Sequence, residues 1–195
     1  MPSPAPLPAS HRLRLKTQAA WSSWLARHHA TSGGVWLELA RSASGLVTVT
    51  YAEALESALC YGWIDGQKRG LDEACWLQRF TPRRPRSLWS QVNREKALAL
   101  IERGLMQPSG HAAIERARAD GRWAAAYSSQ SKAKVPPDLQ AALRECPKAE
   151  AFFRTLTSQN RYAILFRLET AKKPETRAAR PRKCVAMLEL GETFH

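Results

Sequence analysis

The chain has 195 residues, seven Trp and 44% hydrophobic content, which suits one full core or two small cooperating subdomains and excludes a disordered polymer. Thirty Lys and Arg oppose 17 Asp and Glu, and the net charge of +13 favours anionic partners through steering and counterion release. No segment approaches the roughly 20 apolar residues that span a bilayer, and the N-terminus lacks a secretory apolar core, so a soluble cytoplasmic protein is expected.

Met1 to Ser10 is proline-rich and reads as a flexible leader. His11 to Lys16 alternates leucine with basic residues, as a short edge strand does. Thr17 can cap a helix over about residues 18–30, with Trp21, Trp24 and Leu25 on its buried side. Gly33-Gly34 breaks that helix. Val35 to Arg41 alternates as a strand, and Leu46 to Thr50 returns extended. Thr50-Tyr51-Ala52-Glu53 is a capping box, and the helix it opens stops at Gly62.

Trp63 to Gly66 and Cys75 to Phe80 read as antiparallel strands around a loop from Gln67 to Ala74. Thr81-Pro82-Arg83-Arg84-Pro85 is expected to leave the sheet, because two prolines cannot both sit in a ladder. Helices then follow: Asn93 (as cap) to Arg103, Pro108 to Asp120, Pro137 to Glu145, Lys148 to Leu156, Asn160 to Lys172 and Pro174 to Leu190. Pro181 inside the last one predicts a kink or two shorter helices. Strands followed by helices give an α+β class: a small antiparallel sheet with covering helices, then a C-terminal helical bundle. The expected organisation is a leader over residues 1–10, a sheet subdomain over 11–92 and a helical subdomain over 93–195, packed as one compact unit.

The four cysteines, Cys60, Cys75, Cys146 and Cys184, are scattered and suit reduced thiols in a cytosolic setting. The five His show no metal-ligand spacing, and the chain lacks a nucleophile elbow and the glycine-rich loops that cradle phosphates. No metal, no cofactor and no catalytic residue is therefore expected.

The densest chemistry lies between Tyr51 and Asn93. If the two strands pair, Asp65 can meet Arg79 across the ladder, with Arg83 and Arg84 beside them and Trp63, Trp76 and Trp89 as walls. Two readings follow. In one, Asp65 accepts from a ligand while the arginines grip an anionic group, and Asn93 orients it. In the other, an ion pair locks the corner, the tryptophans fill a sheet–helix interface and Asn93 caps a helix. A second basic run, Lys172, Lys173, Arg177, Arg180, Arg182 and Lys183, could contact phosphates, form a solvated helical surface, or send Arg177 and Arg180 back to brace the Asp65 corner.

Three stretches carry a resemblance: ALCYGWIDG from Ala58 to Gly66, RFTPRRPRSLWSQVN from Arg79 to Asn93, and AKKPETRAARPRK from Ala171 to Lys183. In this order the chain resembles the YdeI/OmpD-associated, bacteriocin-protection family over about residues 13–191. The resemblance implies a bacterial protein tied to bacteriocin protection and envelope or antimicrobial-peptide stress, and it brings no catalytic residues. Pro181 departs from that family's last motif, which continues with an aliphatic residue after the second arginine. The resulting expectation is a non-catalytic stress-response protein that binds an anionic small molecule or a protein partner at Trp63, Asp65, Arg79, Arg83, Arg84, Trp89 and Asn93. The alternatives are a nucleic-acid-binding protein using its basic face, and an enzyme on a phosphorylated or carboxylated substrate with Asp65 as base.

Overall fold

The computed structural model describes residues 12–171 and 173–194. The leader, His11 and Lys172 lie outside the described residues. The chain is α+β, with four strands in one sheet and eight helices among the described residues. It divides into two compact units, one holding residues up to Ser87 together with Asn93–Ala124, the other Leu88–Val92 together with the stretch from Ala125 onward. Residues 93–124, expected with the helical half, thus belong with the sheet.

In the first unit, β1 (Arg12–Leu13) pairs in parallel with β2 (Val35–Ala40), and β2 pairs antiparallel with β4 (Cys75–Pro82), whose other edge pairs antiparallel with β3 (Trp63–Gly70). The sheet order is β1-β2-β4-β3. Helix α1 (Gln18–His28) starts where the Thr17 hydroxyl accepts from the Ala20 amide, and it buries Trp21 and Leu25. The Trp21 ring meets Phe80 at 5.7 Å and Trp63 at 6.4 Å, which fixes the face of the sheet that α1 covers. Helix α2 (Tyr51–Cys60) opens with the expected capping box between Thr50 and Glu53.

Three expectations for the extended stretches need correction. The strands of the β3–β4 hairpin run further than their apolar pattern, so the connection shrinks to residues 71–74. Asp72 stabilises it by accepting from the Ala74 and Cys75 amides. Thr81 and Pro82 also stay in the ladder, opposite Ile64 and Trp63, because β2 begins at Val35 opposite Phe80 and leaves that edge of Pro82 without a partner strand. Leu46 to Thr50 forms no strand of the sheet; Val49 is tied down by one amide bond to the Leu15 carbonyl.

Helix α3 (Gln91–Glu102) begins three residues before the Arg94 start that an Asn93 cap implies, so Asn93 sits in its first turn and is not its cap. From Asn93 onward α3 is counted with the sheet, as is α4 (Pro108–Ala119). Gly62 takes φ +73° at the end of α2, and a Cβ there would come within 2.7 Å of the Ser109 carbonyl. Both the turn and the close approach of α4 require glycine.

The second unit holds α5 (Pro137–Arg144), α6 (Pro147–Thr155), α7 (Ser158–Glu169) and α8 (Pro174–Glu189). Leu139, Leu143, Phe153, Ile164, Leu168 and Leu188 are the heart of its core. Thr157 caps α7, which starts at Ser158, two residues before the expected Asn160, and ends at Glu169. Glu169 accepts from both the amide and the hydroxyl of Ser128, and Tyr162 donates to the Ser128 carbonyl, which ties down the polar stretch before α5. Helix α8 is one continuous element through Pro181 and is not split into two. Pro181, Cys184 and Leu188 form its buried stripe, so the proline ring is part of the core contact.

Candidate functional site: an arginine-bearing sheet face

Register decides which side chains of the sheet share a face, because strand side chains alternate with period two. Asp65 stands opposite Phe80, and Arg79 stands opposite Trp36. Phe80 and Arg79 are neighbours on β4, so Asp65 and Arg79 lie on opposite faces. The expected cross-strand meeting of this acid and this base does not occur. Asp65 instead accepts a hydrogen bond from the Tyr51 hydroxyl at 2.9 Å. A bulge between Asp65 and Lys68 keeps Lys68 on the Asp65 face, with its ammonium 4.2 Å from the Trp76 ring centre.

The opposite face carries a different constellation. Arg12 on β1 pairs with Trp36 on β2, and Trp36 pairs in turn with Arg79 on β4. Beyond the bulge, Arg69 on β3 pairs with Leu77, which also puts it on this face. The Arg69 and Arg79 guanidinium carbons lie 5.2 and 5.8 Å from the Trp36 ring centre. Trp36 is only 5% exposed and Leu77 4%, while all three arginines are half-buried. The Arg69 and Arg79 guanidinium groups thus lie over the buried Trp36 ring and not out in solvent.

Among the described residues, the one acid on this face, Glu38, is already engaged, since Arg14 Nε donates to it at 2.7 Å. That bond raises the Arg14 guanidinium above its ordinary value. Among the described residues, no carboxylate pairs with Arg12, Arg69 or Arg79. Burial pulls the Arg79 guanidinium below its ordinary value, yet an arginine keeps its charge at any working pH. The Arg12 Nε is buried and has no hydrogen-bond partner. The three arginines rise from β1, β4 and β3, strands whose backbones lie across about 14 Å, and the Arg69 and Arg79 guanidinium groups converge on Trp36.

The other predicted site residues are placed as follows. Trp63 is 1% exposed and donates from its indole nitrogen to the His29 carbonyl, so it is a core residue. Arg83 is buried, and its backbone amide continues the strand contact to the Gly62 carbonyl. Arg84 is exposed in a turn closed by Ser87. Trp89 belongs to the second unit, where its carbonyl accepts from the Tyr127 amide. Of the second basic run, Arg177 pairs with Asp138 on α5 through both guanidinium nitrogens, so its carboxylate partner is not Asp65. Lys173, Arg182 and Lys183 are exposed and Arg180 is half-buried.

Arg12, Trp36 and Arg69 were missed in the sequence. The signal available for them was the Arg12-Leu13-Arg14 alternation, which marks a strand whose basic side faces away from the core.

Residues 13–113 match the model of a family described as Domain of unknown function (DUF8412). Residues 132–191 match the family described as Bacteriocin-protection, YdeI or OmpD-Associated. The expected resemblance is thus present, over a shorter stretch than residues 13–191. No curated protein and no solved structure matches the chain. The first match spans more than half of the 195 residues, so the protein belongs to the DUF8412 family and carries a YdeI/OmpD-associated segment at residues 132–191.

Proposed function

We propose that the protein plays a bacteriocin-protection-like role by binding, and that its sheet unit holds an acidic segment of a partner protein on the Arg12/Arg69/Arg79 face. The match at residues 132–191 supports the role. The binding mode rests on one observation: three guanidinium groups share a face on which Glu38, the single carboxylate among the described residues, is already bonded to Arg14.

Three guanidinium groups from three different strands offer more paired N–H donors than one carboxylate or phosphate fills, which favours an anion with several carboxylates. Trp36 lies beneath the guanidinium groups and presents no open ring for a nucleobase, which favours a carboxylate-rich peptide over single-stranded nucleic acid. Arginine suits this task because its planar fork grips carboxylates two N–H groups at a time.

Fluorescence anisotropy of a labelled oligoglutamate against the full chain tests the reading, with duplex DNA and inorganic phosphate as competitors. Saturable peptide binding is expected, weakened about tenfold by Arg79→Ala or Arg69→Ala. Stronger capture of DNA, with a steep salt dependence, would replace it with a nucleic-acid reading. Equal competition by free phosphate would reduce the partner to a small anion.

A further inference from the structure

Away from the arginine face, the sheet unit carries a half-open cavity of about 370 Å³ between α1, α2 and the end of α3. Its size falls in the range of small-molecule sites. Glu56 and Arg103 stand on its wall, and Leu100 and Leu105 supply apolar surface. Glu56 is flanked by Lys96 Nζ at 3.7 Å and by an Arg103 nitrogen at 3.9 Å. Both separations are too long for hydrogen bonds. The acid and the two bases are therefore held close by charge, and among the described residues their side chains have no hydrogen-bond partner.

A buried hydroxyl pair adds to this. Ser22 Oγ donates to Ser57 Oγ at 2.9 Å, and Ser57 is 4% exposed. The wall is also preformed. The Gln107 amide donates to the Cys60 carbonyl at 3.0 Å, and Gly110 lets α4 approach that same carbonyl more closely than any side chain allows. A cavity shaped before binding spares the ligand the cost of ordering it.

We propose that this cavity binds a small zwitterion of the α-amino-acid type, with its ammonium on Glu56, its carboxylate on Arg103 and an apolar side chain against Leu100 and Leu105. The charge pattern selects that class. A lone anion meets the Glu56 carboxylate, and a lone cation meets Lys96 and Arg103. A compact zwitterion, whose own charges stand a similar distance apart, lies alongside the Glu56–Arg103 pair and satisfies both. A long ω-amino acid separates its charges too far to reach both groups at once.

Isothermal titration of the full chain with L-leucine tests the proposal, alongside N-acetyl-leucine, leucinamide and 6-aminohexanoate. Leucine is expected to bind saturably, and each of the other three to bind at least about tenfold more weakly, since each loses or misplaces one charged contact. Glu56→Gln is expected to abolish the preference for leucine over N-acetyl-leucine at an unchanged melting temperature. The analogue series is read on the unaltered protein, so a folding defect in that variant leaves the test intact. No saturable heat with leucine at millimolar concentration, or equal binding of the capped compounds, overturns the proposal.

Discussion

Asp65 and Arg79 occupy adjacent strands and opposite faces of the sheet, because Asp65 pairs with Phe80 while Arg79 pairs with Trp36. The carboxylate is bonded to Tyr51 at the start of α2, on the side that α1 and α2 cover. The guanidinium lies over Trp36 on the other side. The two groups therefore act independently, and substituting one leaves the charge environment of the other nearly unchanged.

Asp65→Asn is accordingly expected to leave oligoglutamate binding by the arginine face within about twofold of the parent, while Arg79→Ala weakens it about tenfold. The Asp65 substitution also removes the charge from an exposed hydrogen bond with Tyr51, which costs about 0.5–1 kcal/mol in a urea melt. Anisotropy and urea midpoints on the same two variants give both numbers. A large binding loss in Asp65→Asn would contradict the separation of the faces.

The capping box of α2 predicts an acid-dependent part of the stability. The Thr50 amide and hydroxyl both donate to Glu53 and hold its carboxyl below its ordinary value. A depressed acid contributes stability above its unfolded value of about 4.3, and that contribution is lost as pH falls through the folded value. Glu53→Gln should thus flatten the decline of the urea midpoint below about pH 4. Thr50→Ala, which removes the hydroxyl that accepts from the Glu53 amide, should cost about 1 kcal/mol at neutral pH.

That box illustrates what was legible in the sequence and what was not. Thr50, Glu53 and Gly62 act within a few residues of one another, so the spacing alone places α2. Thr17 and α1, the proline starts of α4, α5 and α8, and the segregation of strands before helices were legible for the same reason. The Asp65/Lys68 bulge and the parallel pairing of Arg12 with Trp36 are set by partners far along the chain. A shift of one residue in such a register exchanges the faces, and it moved Arg79 away from Asp65. Asn93 failed as a cap because α3 starts directly after the bridge between Ser90 and Tyr127.

In the second unit, the pair between Asp138 on α5 and Arg177 on α8 predicts a modest, pH-sensitive coupling. The Arg177 hydrogen bond is the main cause that holds the Asp138 carboxyl below its ordinary value, and the Leu139 amide assists. Both side chains are partly exposed, so the pair is discounted for solvent screening to about 1 kcal/mol in a double-mutant cycle of Asp138→Asn and Arg177→Gln. The coupling should be full above about pH 4 and vanish as the pH falls through the lowered value of Asp138. A coupling that persists unchanged at pH 2 would rule out this origin.

Gly110 is a stringent position of the first unit. A Cβ there would sit 2.2 Å from the Cys60 carbonyl oxygen and 2.4 Å from the Met106 sulfur. The methionine can move aside, whereas the Cys60 carbonyl is fixed as the acceptor for the Gln107 amide. Helix propensity favours alanine by about 1 kcal/mol, and overpacking against backbone costs about 1–3 kcal/mol, so the clash is expected to win. Gly110→Ala should lower the melting temperature and weaken leucine binding in the adjoining cavity. A stabilised variant would mean that α4 slides freely along α2.

Pro181 sets opposite effects against each other inside α8. It lacks the N–H that would bond the Arg177 carbonyl, and a helix-interior proline is about 3 kcal/mol worse than alanine. Its ring is also buried beside Cys184 in the stripe that faces the core. Removing two ring carbons forfeits about 0.8 kcal/mol each, with a small cavity term on top. Pro181→Ala is therefore expected to stabilise the protein by about 1 kcal/mol, read as a higher urea midpoint at an unchanged slope. A destabilisation of similar size would mean that the ring's packing outweighs the missing amide, and that the backbone of α8 has already adjusted to do without it.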